Sequence, residues 1–326
     1  MRYLADTDVN RGRQPEIDCL KAFCIFFMIF LHAFRGEGIF LSASLLIIQA
    51  DIMTFAGLAF MLLALFKRLC VPDGAVVLIG VGMNAFAFAL SRFFRTTGNY
   101  LLDQLLGYFV VTNAESYFSL CSYFVFVAFG YALGGIYPRI RDKDALANRV
   151  LLVCGPVAIG YYLLRAFVPF GPLPAFDSVE MYIMKPVTDA LANVLMSLFL
   201  LALFHRLLRN REAPKLVSHL SGHINQYYCL SYVLLTPMGT LLLATRGGLL
   251  PGTALPLLYG FAALAACYLY ISWVDRRKLP TSIARLKAPW KAAAFAAVWL
   301  ATIAIIACVY PRITEYATIW NGYLWG

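Results

Sequence analysis

Charge is scarce in this chain. Only 13% of its 326 residues are Asp, Glu, Lys or Arg, roughly half the share expected of a soluble domain at about 25%. That shortage excludes an ordinary water-soluble enzyme, and the apolar excess excludes a disordered tail. The polar gaps are too short to hold a separate soluble domain. Paired thiols are also missing: none of the eight cysteines forms a CxxC, and most lie inside apolar runs. A disulfide framework and a thiolate zinc site are therefore not expected, and no metal ligand set is nominated. Acidic residues are the scarcer charge, 17 against 27 basic, for a net charge of +10. In a soluble protein that balance points to nucleic acid. Here the basic residues fall between apolar runs and read as signals of membrane orientation, so no nucleic-acid partner is expected.

Hydrophobic length is what the chain has in excess. It is 61% hydrophobic with mean hydropathy +0.73. A bilayer core of about 30 Å takes about 20 apolar residues per helix. Segments 17–35, 51–67, 74–91, 116–136, 150–168, 186–204, 223–244, 253–274 and 291–310 meet that standard. The reading is all-α: a polytopic bundle of about nine transmembrane helices, one integral-membrane domain over residues 1–326. The lipid bilayer is its solvent and the cell membrane its location. Residues 1–16 are polar, and many further apolar runs follow the first. That first run therefore reads as a retained helix and not a cleaved signal. The short apolar stretch 38–50 reads as interfacial or re-entrant, and 100–111 as a helix lying in the interface.

Basic residues set the orientation. With the N-terminus inside, 20 of the 27 Lys and Arg residues fall on the inner side, the expected positive-inside bias. The Pro-rich loop 169–177 and the C-terminal segment then lie outside, with Trp320, Tyr323 and Trp325 as interfacial anchors. Gly130 and Gly134 form a GxxxG that reads as ordinary helix packing.

Ionisable residues in a membrane are costly and are functional candidates for that reason. His32, Arg35, Glu37, Asp51, Arg92, Arg95, Glu115, Arg165, Lys185 and Asp189 gather at the outer helix ends with both signs of charge. A polar pocket opening outward would account for them; so would interfacial side chains reaching the headgroups. His205, His219 and His223 flank the inner loop. The first helix, EIDCLKAFCIFFMIFLHAFRG, is the most informative segment. Asp18 and Lys21 are three apart and can pair on one face. Lys21 and His32 are eleven apart, about three turns, and share a face over a rise of about 16 Å. A purely structural alternative makes Asp18 and Lys21 boundary residues and gives His32 a bond to a neighbouring helix.

This pattern of an acidic residue, a basic residue, ten residues and a histidine resembles the opening of the membrane-bound acyltransferases of the acyltransferase family 3 type. The heparan-alpha-glucosaminide N-acetyltransferase group is similar. Lys21 stands where the family has Arg. Segments 51–68, 122–140 and 221–235 are weaker echoes of later helices. Arg92 and Arg95 form an Arg-x-x-Arg like one the family uses, although the charge pattern here sets it outside. The family also carries a helical pair after the first helix that this chain lacks. The resemblance implies acyl transfer from cytosolic acyl-CoA, acetyl-CoA first among them, to a carbohydrate or cell-envelope acceptor, with no permanently bound cofactor. It implies His32 as catalytic base or acyl carrier, with Glu37 and Asp51 tuning it. Lys21, Asp18, Arg92 and Arg95 would hold the donor. The rival readings are a transporter or flippase of a small or lipid-linked substrate, and a scaffold made inactive by loss of the helix pair.

The charge split yields a direct test. A topology reporter fused after Gly326 should report an extracytoplasmic position. Cytoplasmic signal there would reverse the orientation and move His32 to the other side.

Overall fold

The computed structural model describes residues 4–5, 7–10, 12–35, 52–91, 100–110, 118–167, 186–209, 211–231, 234–235 and 254–277, and single positions between 287 and 297. Among them the fold is helical, with one isolated β-bridge between Leu4 and Ile140. The helices are α1 (Pro15–Arg35), α2 (Ile52–Arg68), α3 (Asp73–Ser91), α4 (Tyr100–Phe109), α5 (Leu120–Ile136), α6 (Lys143–Phe167), α7 (Val187–Leu207), α8 (Lys215–Gly222) and α9 (Ala254–Arg277). A 3-10 turn, Tyr137–Arg139, follows α5. Residues 224–231 are also helical. Among the described residues, five stretches are long and apolar enough to cross a membrane: Asp73–Ser91, Leu120–Arg139, Lys143–Arg165, Val187–Leu207 and Leu257–Arg277. Exposed side chains on them, such as Leu78 at 73% and Leu152 at 76%, would be a liability in water. They are the expected surface of a bundle solvated by lipid. Most of the expected span 291–310, half of 223–244, and the stretch 38–50, the loop 169–177 and the C-terminal anchors lie outside the described residues.

The chain divides into two compact units. One comprises residues 1–20 and 49–213, the other 21–48 and 214–326. In the first, α3 packs along α5 and α6 along α7, with α2 also on α5. Phe55, Ala59, Val76, Phe124 and Ala128 form its apolar centre. Gly80 is the contact point of α3 and α5: a Cβ there would lie 3.0 Å from the Ala128 Cβ and 3.1 Å from the Val125 Cα. One turn along, the buried Asn84 amide donates to the Ser122 carbonyl at 2.7 Å. Gly130 and Gly134, by contrast, face open space, so the GxxxG is not a packing seam within this unit. In the second unit, Ala22, Ile25 and Ile29 of α1 meet Tyr259, Ala263, Cys267 and Ile271 of α9 around Tyr227. Gly260 lets the Phe30 ring lie against α9, since a Cβ would come within 2.8 Å of it.

Two helix ends are set by capping chemistry and not by apolarity. α6 begins at Lys143, ahead of its apolar run, because the Asp142 carboxylate accepts the Ala145 N–H at 2.8 Å, an N-cap bond. α2 stops in a Schellman turn: the Val71 N–H reaches the Phe66 carbonyl at 3.0 Å and the Cys70 N–H reaches Lys67 at 3.2 Å. Cys70 takes the left-handed conformation, φ 53°, that this turn requires. Pro72 follows it and α3 begins at once. The expected interfacial helix at 100–111 is present as α4.

Gly80 and Gly82 make a matched pair. Gly80→Val should separate α3 from α5 and lower stability by about 1–3 kcal/mol. Gly82→Ala, with open space around it, should be neutral or stabilising by about 0.5–1 kcal/mol. Thermal unfolding in detergent measures both.

Candidate functional site

The helix that carries the first-helix motif is unbroken from Pro15 to Arg35, so positions 18, 21 and 32 keep helical register. The buried Asp18 carboxylate pairs with Arg13 and not with Lys21, the partner its spacing suggested. Arg13 lies just before the helix and reaches the carboxylate from its N-terminal side. Lys21 is exposed, as are Cys24 and Phe27, and it lies at the edge of the face that buries Ala22, Ile25 and Ile29. The His32 side chain lies outside the described residues, as do Glu37, Asp51, Arg92 and Arg95, and with them Glu115 and Lys185.

One turn before Lys21, sequence reasoning overlooked Glu16. It is 4% exposed, and a single oxygen, Oε1, gathers the surrounding donors. Lys143 Nζ donates to it at 2.8 Å and the Tyr137 hydroxyl donates to it as well. His205 Nδ1 lies 3.6 Å away. Lys143 also donates to Gln14, and its ammonium sits 4.7 Å from the centre of the Tyr137 ring. The other ring nitrogen of His205 is 3.2 Å from Asp144, which also faces Arg206 at 3.4 Å and Arg209 at 3.5 Å. The N-terminal segment closes the group from outside. The Ala5 N–H donates to the Arg139 carbonyl at 2.8 Å, and Arg139 Nε returns a bond to the Ala5 carbonyl at 3.0 Å.

These residues come from the start of α1, the end of α5, the start of α6 and the end of α7. Such a meeting requires those four ends to lie on one side, which is the alternation the charge pattern implies. Each ionisable member has a partner, and a saturated carboxylate is a poor base. The cluster is suited to fixing the start of α1 within the first unit more than to proton transfer.

The opposite ends of α6 and α7 hold a second pair. Arg165 and Asp189 form an ion pair, and the Tyr161 hydroxyl donates to the same carboxylate. The Tyr162 hydroxyl donates to Asn193 at 2.7 Å. Arg165 and Asp189 belonged to the mixed-sign set read from sequence, and the structure brings them together. Between α2, α5 and α7 an open groove is lined by Phe55, Phe118, Tyr123 and Phe126, with Asn193 and Ser197 as its polar groups. Among the described residues, its lining holds no titratable acid or base other than a phenol. In the second unit, His219 and His223 meet Asp275 at the basic end of α9.

No family model, curated protein or solved structure matches the chain.

The signals for the overlooked residues were faint. Glu16 looked like a boundary residue, because nothing in a linear sequence ties it to Lys143, 127 positions away. Removing one member of a buried ion pair strands the other. Lys143→Met should therefore lower stability by about 3 kcal/mol, the low end of the usual cost of about 3–5 kcal/mol, since Tyr137 and His205 remain on Glu16. Pairing it with Glu16→Gln should cost less than the two single changes added. A double-mutant cycle of thermal unfolding in detergent measures the coupling.

Proposed function

We propose that this chain is an integral-membrane acyltransferase of the acyltransferase family 3 type. It moves an acyl group, acetyl by first choice, from cytosolic acyl-CoA to a hydroxyl or amine of a carbohydrate or cell-envelope acceptor. The observation that carries the reading is the ordered set Asp18, Lys21 and His32 on one unbroken helix. Continuity from Pro15 to Arg35 supports it, because a kink would destroy the shared register over the rise of about 16 Å between the last two. In full the proposal is nine spans in the cell membrane with the N-terminus inside.

The chemistry follows from where donor and acceptor start. Acyl-CoA is cytosolic and its phosphates suit the basic inner segments, because Lys and Arg bind phosphate well. Lys21, exposed and near the inner end of α1, meets the donor. The acceptor oxygen attacks the thioester carbonyl, His32 takes its proton, and the CoA thiolate leaves and is protonated in turn. In the two-step variant, His32 itself carries the acyl group before the acceptor attacks. Glu37 and Asp51 are the carboxylates that would orient or polarise the imidazole.

Membranes containing the protein should transfer label from acyl-CoA to an extracellular glycan or lipid. His32→Ala should lower the rate by about 10²–10⁴-fold, the usual contribution of a positioned base, with expression retained. Lys21→Ala should raise the acyl-CoA concentration needed, and Lys21→Arg should keep or improve activity because the planar guanidinium fork matches phosphate. Full transfer by His32→Ala would remove the catalytic assignment. Absence of transfer by the wild type with every acyl-CoA tried would favour the inactive scaffold.

A further inference from the structure

The histidine pair of the second unit is built as a ligand site. Although α8 ends at Gly222, the backbone bonds from the His223 N–H to the His219 carbonyl at 3.2 Å and from the Tyr227 N–H to His223 at 2.9 Å preserve helical spacing. His219, His223 and Tyr227 therefore form one row, four residues apart, on a single face. α9 answers with a row of its own: Tyr268, Ser272 and Asp275. The ligand atoms of His219, His223 and Asp275 all lie within 4.8 Å of one another.

Hydrogen bonds decide which nitrogens are available. His223 Nδ1 lies 2.9 Å from the His219 carbonyl. A carbonyl only accepts, so Nδ1 carries the hydrogen and the neutral ring leaves Nε2 with a bare lone pair. That Nε2 faces a carboxylate oxygen of Asp275 at 3.0 Å. Two acceptors at that distance repel unless a positive centre joins them, and the choices are a proton or a metal ion. Two features favour the metal. A third donor, His219, converges on the same point. Its Nδ1 lies 2.9 Å from the Tyr227 hydroxyl and its Nε2 3.3 Å from the Ser272 hydroxyl; in the tautomer whose Nδ1–H donates to the Tyr227 oxygen, Nε2 is the ligand nitrogen. Both rings thus have the outer hydrogen bond that metal-bound histidines have, and the Tyr268 ring, 4.7 Å from that of His219, packs beside it.

We propose that His219, His223 and Asp275 bind a divalent transition-metal ion, zinc by preference, that ties the segment around α8 to the end of α9. Two imidazoles and one carboxylate suit zinc and its neighbours better than magnesium or calcium, which take all-oxygen sets. Three protein ligands leave one position open to water or a substrate atom. Ligand bonds of about 2.1 Å in tetrahedral geometry imply ligand atoms about 3.4 Å apart, so a separation of up to 4.8 Å closes by at most about 1.4 Å on binding. The sequence search for metal sites looked to thiols. It passed over this set because Asp275 lies 52 positions from His223 and the histidines sat in what read as a basic loop. The proposal is independent of acyl transfer.

The test is titration of the full-length protein in detergent, stripped with chelator, with Zn²⁺ alone. One Zn²⁺ should bind per chain. His223→Gln and Asp275→Asn should each weaken binding by more than about a hundredfold, and Tyr227→Phe by about 10–100-fold as an outer-shell change. Asp275 is at the surface, so its isosteric amide leaves the fold in place. Co²⁺ in the wild type should give the visible bands of a nitrogen- and oxygen-bound ion, lost in His223→Gln. Failure to bind Zn²⁺ in stoichiometric amount would overturn the proposal and leave a proton between His223 and Asp275. Unchanged affinity in both ligand variants would overturn it too. So would a cobalt spectrum dominated by thiolate charge transfer, which would place the metal on exposed cysteines such as Cys24, Cys70 or Cys229.

Discussion

The burial of Glu16 is the constraint on which the first unit depends. An ionised carboxylate removed from water costs several kcal/mol unless donors replace the lost hydration. Here the replacements come from three other places in the chain: a phenol at Tyr137, an ammonium at Lys143 and an imidazole at His205. Loss of any one of them leaves the carboxylate less well compensated. The start of α1 is thereby joined to the ends of α5 and α7 and to the start of α6, and a membrane bundle gains an order that lipid-facing leucines cannot give it. Apolar packing alone is weakly directional in a bilayer, because lipid is as good a neighbour as another helix.

Much of the architecture was legible in the sequence because the bilayer reads composition. Runs at 74–91 and 186–204 became α3 and α7 with ends shifted by no more than three residues, since a span must be apolar throughout. What composition cannot show is where a helix starts when its first turns lie in water. α6 starts seven residues before its apolar run, and the reason is the single carboxylate of Asp142. α8 was missed for a related cause: eight residues, two of them charged or imidazole, do not register as an apolar run, although its row of ligands continues past its end.

The candidate site was legible only in part. Register along α1 was a safe inference, because eleven residues of helix fix an angle whatever surrounds them. Partners were not. Asp18 lies three residues from Lys21, yet its carboxylate turns back to Arg13, and the i, i+3 rule does not count competitors before the helix. Arg165 and Asp189 were grouped correctly because both lie at helix ends of one expected side. The Glu16 and His219 clusters needed contacts 127 and 53 positions long, which spacing rules do not reach.

The turn at Cys70 has a consequence for how the protein is made. α2 and α3 leave the ribosome joined by a few residues, and the partner they share, α5, comes later. The Asn84 amide finds the Ser122 carbonyl 38 positions downstream, and the bare flank of Gly80 waits for the same helix. In that interval the Asn84–Ser122 bond is still unmade, and a polar side chain in an apolar span is a state hydrocarbon penalises and the wet wall of an insertion channel tolerates. The order of synthesis therefore favours holding the first helices at the channel until α5 arrives, so that this part of the bundle enters the bilayer as a group.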